Sequence, residues 1–239
     1  MTGSGDRSDV AAPQSAEGEK IESAELPLDA PLEEAAEAQK SRLRGRILEA
    51  AFCVLMERGY AGTTTREIAA RAKTSKRELY ALFGSKQGIL AGLVEKRSHL
   101  MRLPLTASGE IRSREALAAT LIRYGTTLLG EVFQPAPLAL HRLALAEAER
   151  SPELARILDE GGRNANDQSL QAFLAEAQRH GLLPAVAPEL MAGRFFALLW
   201  GDRLLRVLLR VVEVPTSIEI AARAEAATRD FLVLYPPPH

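Results

Sequence analysis

Two helix-start signatures lie eleven residues apart, at Thr64-Thr65-Arg66-Glu67 and Ser75-Lys76-Arg77-Glu78. In each, a hydroxyl and a carboxylate three residues later can satisfy the free amides of a first helical turn. That spacing leaves room for one short helix, carrying Ile68 and Ala69 on its apolar face, and a tight turn. A further helix through Leu79, Tyr80 and Phe83 follows. Ahead of both, Ile47, Ala50, Val54 and Leu55 recur at i, i+3, i+7 and i+8, one apolar face of a helix, and Gly59 suits its C-terminal cap. Ser85 is a candidate cap for a fourth helix. Two short helices joined by a tight turn, the second opening on cations, describe a helix-turn-helix over about residues 64–83.

Charge is distributed to match. The 239-residue chain has a formal net charge of −1, which conceals three regions. Residues 1–40 hold 3 Lys/Arg against 10 Asp/Glu, residues 41–103 hold 13 against 5, and residues 104–239 hold 14 against 16. The excess cations fall on the helix-turn-helix segment, the electrostatic footprint a phosphate backbone requires.

The remainder reads as helices. Residues 1–38 have no sustained apolar period and are expected to be a disordered acidic tail, with a helical turn near Leu32–Ala38. The DNA-binding domain, with a connecting helix from Ile89 to about Leu103 ahead of Pro104, occupies 39–103. Residues 104–239 form a second helical domain. Its helices are expected over Arg114 to Phe133, Pro137 to Arg150, and from Ser151-Pro152-Glu153 through a break at Gly161-Gly162 to His180-Gly181. The last two run from Pro188 to about Val212, the most apolar of the set, and from Ser217 to Leu234. No strand pattern emerges, so the predicted fold is all-α: a three-helix helix-turn-helix domain followed by a second helical domain, to which the family resemblance described below assigns effector binding and dimerisation.

Some function classes find little support. A single cysteine, Cys53, rules out an internal disulfide and suits a reducing cytoplasm. No apolar run approaches the roughly 18 residues of a membrane span, and Asp6, Arg7 and Asp9 precede any apolar stretch, so neither membrane nor signal peptide is expected. A Gly-rich phosphate loop, a nucleophile elbow and a metal-ligand spacing among His99, His141, His180 and His239 are all missing from the sequence, so neither an enzyme nor a cofactor is expected.

The segment Gly59-Tyr60-x-Gly62-Thr63-Thr64-x-x-x-Ile68-Ala69, followed by Ser75-Lys76-x-x-Leu79-Tyr80-x-x-Phe83-x-Ser85-Lys86, resembles the N-terminal domain of the tetracycline-repressor (TetR/AcrR) family over about residues 41–95. Two positions depart from the family pattern: Lys73 stands at the turn position where glycine is usual, and Leu82 where Tyr or His is common. From Leu140 to Arg210 the chain resembles the AefR-like branch of the same family. Leu143-x-x-x-Glu147, Pro152-Glu153-Leu154-Ala155, the Gly181 break and Gly201-Asp202-x-Leu204-Leu205 carry that likeness.

The resemblance implies a cytoplasmic transcriptional regulator, a repressor acting as a homodimer on palindromic double-stranded operator DNA and responding to a small effector. The alternative is a helical protein-interaction adaptor that has lost DNA binding. Arg66, Lys76, Arg77 and Lys86, each at or near a helix start, are the expected DNA contacts, with the hydroxyls of Thr65 and Tyr80 reaching phosphate. Phe173, Phe196 and Trp200 are candidate linings of an effector pocket, although bundle packing or a dimer seam would explain them equally. The aromatic and aliphatic content of these helices predicts an apolar or amphipathic effector. Leu198, Leu205, Leu208 and Leu209 are candidate dimer residues. His141 and Cys53 read as core, and Asp202 and Arg206 as an i, i+4 surface pair.

Overall fold

The computed structural model describes residues 30–107 and 111–238. The chain divides into two units, residues 1–39 and 40–239. Of the expected acidic tail, residues 1–29 lie outside the described residues. Helix α1 (Ala30–Gly62) begins inside the segment assigned to the tail, so the helical boundary falls at Ala30 rather than near residue 39.

Three helices build the head. The break in α1 at Gly59, α2 (Thr65–Arg71) and α3 (Lys76–Phe83) fall where the capping signatures put them. Ser75 and Glu78 form the full reciprocal box, and the Ser75 amide holds the Glu78 carboxyl below the ordinary carboxylate range. At α2 only half of the expected box forms. Thr64 accepts the Glu67 amide, but the Glu67 carboxylate turns to Arg58 of α1, 2.8 Å away. Arg71 grips Glu57 through two bonds of 2.6 and 2.7 Å, a second tie between α1 and α2. Beneath these ties Ile47, Val54, Ile68, Leu79 and Ile89 form the head's fully buried core.

Helix α4 (Lys86–Thr106) leaves the head and enters the second domain. It passes through Pro104 instead of stopping before it. Burial of Met101 and Leu105, on either side of that proline, offsets the lost backbone bond in the final turn. Then come α5 (Arg114–Val132), α6 (Pro135–Glu147) and α7 (Pro152–Leu158). The Gly161-Gly162 break is a π-helical turn over Asp159–Asn164 leading into α8 (Ala165–Arg179). A Cβ on Gly161 would stand 3.3 Å from Val94 of α4, so the glycine pair allows the close approach of the two helices.

The apolar stretch expected as one helix from Pro188 to Val212 is two: α9 (Pro188–Trp200) and α10 (Arg203–Leu208). Gly201, at φ 50 and ψ −132, ends the first, and the guanidinium of Arg223 occupies the space its Cβ would need. Helix α11 (Ser217–Leu234) closes the chain with a complete Thr216/Glu219 capping box. Tyr124, Phe195 and Phe231, all fully buried, centre the core of α5, α8, α9 and α11. Arginines seal three loose ends of this domain. Arg114 donates to the carbonyls of Leu182, Leu232 and Tyr235, Arg142 to those of Val207 and Leu208, and Arg223 to that of Leu199. Apart from the Leu182 carbonyl, in the turn after α8, these acceptors lie at helix C-termini, where the backbone has acceptors to spare and the helix dipole favours a cation. Among the described residues there is no strand.

The turn between α2 and α3 carries a cost. Lys73 has φ 51, a left-handed conformation that an L side chain adopts at about 1–2 kcal/mol. Lys73→Gly should raise stability by roughly 0.5–1 kcal/mol once glycine's larger unfolded-state entropy is subtracted, or about 1–4 °C in Tm. Thermal unfolding of the two proteins checks this; an unchanged or lower Tm would mean that the lysine makes a compensating contact.

Candidate nucleic-acid interface and ligand cavity

The exposed face of the helix-turn-helix comes from α3. Leu79 is its one fully buried side chain, and Leu82 and Phe83 pack partly into the head core. Lys76, Arg77 and Tyr80 therefore stand on the exposed side, Tyr80 at 46% exposure. Arg66, on α2, is exposed too, and none of these three cations makes an ion pair with another described residue. The hydroxyls of Thr65 and Tyr80 are 3.1 Å apart, joining the start of α2 to the middle of α3. Leu82, a departure from the family pattern, is thus a packing residue rather than a gap in the reading face.

Lys86 is placed differently from its expected role. Its ammonium donates to the Tyr60 carbonyl at 3.0 Å and sits 4.1 Å from the centre of the Tyr60 ring. The side chain is half-buried and committed to α1, so it braces the head.

Tyr60 is held from three sides. Gly59, at φ 68 and ψ −179, takes a conformation essentially reserved for glycine and turns the Tyr60 amide out of the helix. That amide donates to both carboxylate oxygens of Glu147, at 3.1 and 3.0 Å, from the last turn of α6. Apolar contacts follow the same route: Leu55, Tyr60, Leu90 and Val94 of the head and connecting helix pack with Leu140, Ala144 and Leu154 of the second domain. Burial raises the Tyr60 hydroxyl pKa, with nearby Glu153 adding to the effect.

Behind this seam lies a cavity of about 690 Å³. Glu49 and Phe52 of α1 and Leu93, Arg97, Ser98 and Met101 of α4 form one wall. Leu128 and Val132 of α5, Leu140 and His141 of α6, and Phe196, Ala197 and Trp200 of α9 form the others. Of the three candidate lining residues, Phe196 and Trp200 face the cavity. Phe173 does not. It is buried in the bundle core, on the inward side of α8, while Asn166 and Asp167 of that helix reach the wall. His141, expected as core, is half-buried and lines the cavity. Cys53 is likewise half-buried, and Asp202 and Arg206 pair at 3.6 Å on the surface as expected. The lining is amphipathic, because Arg97, His141, Arg163, Asp167 and Glu189 interrupt the apolar wall. One buried polar group there is already satisfied: Asn166, 3% exposed, donates to Ser98 and to the Gly162 carbonyl. No cluster of potential metal ligands occurs among the described residues, and no described helix is long and apolar enough to cross a membrane.

A helix-turn-helix head set against a hollow helical domain defines a DNA-binding transcriptional regulator. Comparison with known proteins agrees. Residues 47–93 match the model of the bacterial regulatory proteins of the tetR family, and residues 119–237 match that of the C-terminal domain of AefR-like transcriptional repressors. A TetR transcriptional regulator from Agrobacterium tumefaciens is 30% identical and superposes with a TM-score of 0.65 over 80% of this chain and 94% of its own. The flavonoid-responsive regulator FrrA is 28% identical, with a TM-score of 0.64 over 83% of this chain and the whole of its own. An uncharacterized HTH-type transcriptional regulator of Bacillus subtilis (strain 168), YvkB, is 35% identical over 89 residues, 36% of this chain and 43% of its own length. The chain belongs to the TetR family, whose members are regulators rather than enzymes.

The role of Glu147 could not be read from one sequence, since its partner, the Tyr60 amide, lies 87 residues away and is reached only once α6 packs against the head. For the seam, Gly59→Ala should destabilise the protein by about 2–4 kcal/mol. The new Cβ would fall 2.3 Å from a Glu147 oxygen, and the strained backbone adds its own cost. Gly45→Ala, a helical site with nothing within 4 Å, is the control and should be neutral or stabilising. Urea unfolding of both variants checks the contrast; equal effects would mean that the Gly59 geometry is not needed.

Proposed function

We propose that this regulator is a ligand-released repressor that binds a (pseudo)palindromic operator as a homodimer in the cytoplasm. The observation that carries the reading is the exposed start of α3, where Lys76 and Arg77 have no internal partner. Helix α3 enters the major groove with these two side chains on base edges. Arg66, Thr65 and Tyr80 hold phosphates, fixing the register without reading sequence. Lys86 acts indirectly, by holding α1 and α4 together beneath the reading helix. An adaptor that had lost DNA binding would have no use for unpartnered cations on this face.

A second copy covers the apolar surface left at the end of the chain. Leu205 is 58% exposed, Leu209 64% and Ile218 80%, and Val211 and Val214 continue the patch. Leu198 and Leu208, also considered as seam residues, pack partly against the domain's own core and contribute less. Dimers in this class of motif read half-sites roughly 34–36 Å apart or a multiple of that.

The effector occupies the cavity behind the head. Because α1 and α4 supply one wall, a ligand that prefers a displaced α4 changes the spacing of the two heads and releases DNA. The matched repressor domain and the flavonoid-responsive relative support both the direction of control and an aromatic effector.

Gel-shift titration against the DNA flanking the protein's own gene tests the reading. Arg66→Ala should weaken binding to all sequences and make the salt slope shallower by about 0.9. Lys76→Ala or Arg77→Ala should cost about 1–3 kcal/mol at particular operator positions. Wild-type affinity and salt dependence in all three variants would overturn DNA recognition by this face. In sedimentation, the double variant Leu205→Glu, Leu209→Glu should run as a monomer and lose tight operator binding; an unchanged dimer would place the seam elsewhere.

A further inference from the structure

His141 brings to the cavity wall a ring whose hydrogen-bonding roles are fixed by its own helix. His141 lies on α6 with Nδ1 2.8 Å from the Pro137 carbonyl oxygen. A carbonyl only accepts, so Nδ1 carries the proton and donates. In the neutral ring Nε2 is then an acceptor. No described residue hydrogen-bonds to it, and it is not among the polar atoms sealed without a partner inside the protein. The turn of helix beneath fixes the ring's tautomer, and the cavity provides the open side.

The same cavity is lined by two aromatic side chains held by their neighbours. Phe196 packs edge-on against Tyr124, at 6.4 Å and 64°, and Trp200 against Phe133, at 6.2 Å and 70°. Both are half-buried and line the cavity, so each keeps part of its ring surface available to an aromatic guest. The volume is in the range that encloses a molecule of a few rings.

We propose that this cavity takes neutral phenols: an aromatic body against Phe196 and Trp200, with a hydroxyl that donates to Nε2 of His141. The inference rests on the effector cavity described above and names its ligand class and specificity-determining residue. A hydroxyl satisfies the open acceptor. A methyl ether cannot, and it leaves Nε2 desolvated against a methyl group. A carboxylate would set its negative charge against the lone pair.

Trp200, the chain's single tryptophan, reports occupancy directly. Its emission is titrated at about pH 8 with 4-phenylphenol, 4-methoxybiphenyl and 4-phenylbenzoate. The wild-type protein should bind the phenol about five- to tenfold more tightly than the ether, and the benzoate no better than the ether. His141→Leu should reduce the phenol-to-ether ratio to within about twofold, while His141→Gln, which keeps an acceptor, should retain most of it. Both variants are checked by thermal unfolding, and the wild-type ratio stands without them. Equal binding of phenol and ether overturns the assignment of His141 but leaves the cavity a ligand site. Tighter binding of the benzoate that is lost in His141→Leu overturns it by marking the ring as a cationic donor, and tighter binding that persists in that variant belongs to Arg97 or Arg163 of the same wall and overturns the neutral-phenol class. Failure of all three probes to quench Trp200 overturns the phenol class. Binding of flanking DNA without ligand is decided separately, so failure of the repressor reading is distinguishable from failure of this one.

Discussion

The bond from the Tyr60 amide to the Glu147 carboxylate holds the two halves of the molecule in register. It exists because Gly59 takes a backbone conformation that breaks α1 and points the next amide outward, and because α6 ends with an acid at that place. A charged acceptor bound by an amide is among the stronger hydrogen bonds a protein makes, and leaving either partner buried and unpaired would cost about 1–3 kcal/mol or more. Lys86 completes the arrangement from below by taking the Tyr60 carbonyl and covering its ring. One residue is thus grasped by the first helix of the second domain's seam and by the helix that connects it to the head.

In the proposed mechanism, that geometry gives the cavity its leverage. Phe52 of α1 and the α4 residues from Leu93 to Met101 serve as cavity wall and, a turn or two away, as supports of the reading unit. A ligand acts on DNA binding only by the difference in its affinity for two arrangements of these helices, and a shift from 1:99 to 99:1 needs about 5.5 kcal/mol. The far walls are better placed to stay still. Arg114, Arg142 and Arg223 tie helix ends across the second domain, and the Tyr124–Phe195–Phe231 core fills its interior. In the proposed mechanism, movement is directed to the α1–α4–α6 side, where a glycine break and a polar clamp stand in place of a continuous aromatic core.

Local signals in the sequence were sufficient for the head. The Ser75–Glu78 box, the Ser85 cap and the Gly59 stop all concern residues within four positions of one another, and each formed where expected. What depends on distant partners was illegible. Glu67 left its own cap for Arg58, and Lys86 left the DNA face for Tyr60, because α1 presented better partners. Phe173 and Phe196 look alike in sequence, and only the packing of α8 and α9 turns one into the core and the other to the cavity. Glu147 carried the family resemblance as a letter in a motif; its role became visible once Gly59 stood opposite. Gly201 opens another motif of that resemblance, yet the apolar run around it hid the helix break that Arg223 fills.

The coupling of cavity and reading head is tested most directly by linkage. A ligand that quenches Trp200 is titrated into the protein alone and into the protein saturated with operator, and the operator affinity is measured with and without that ligand. If the two sites bias one two-state element, the factor by which the ligand weakens operator binding equals the factor by which operator weakens ligand binding, typically 5–150-fold. The account predicts these reciprocal factors in the wild-type protein. A ligand that fills the cavity with the same affinity in the presence and absence of operator would contradict it.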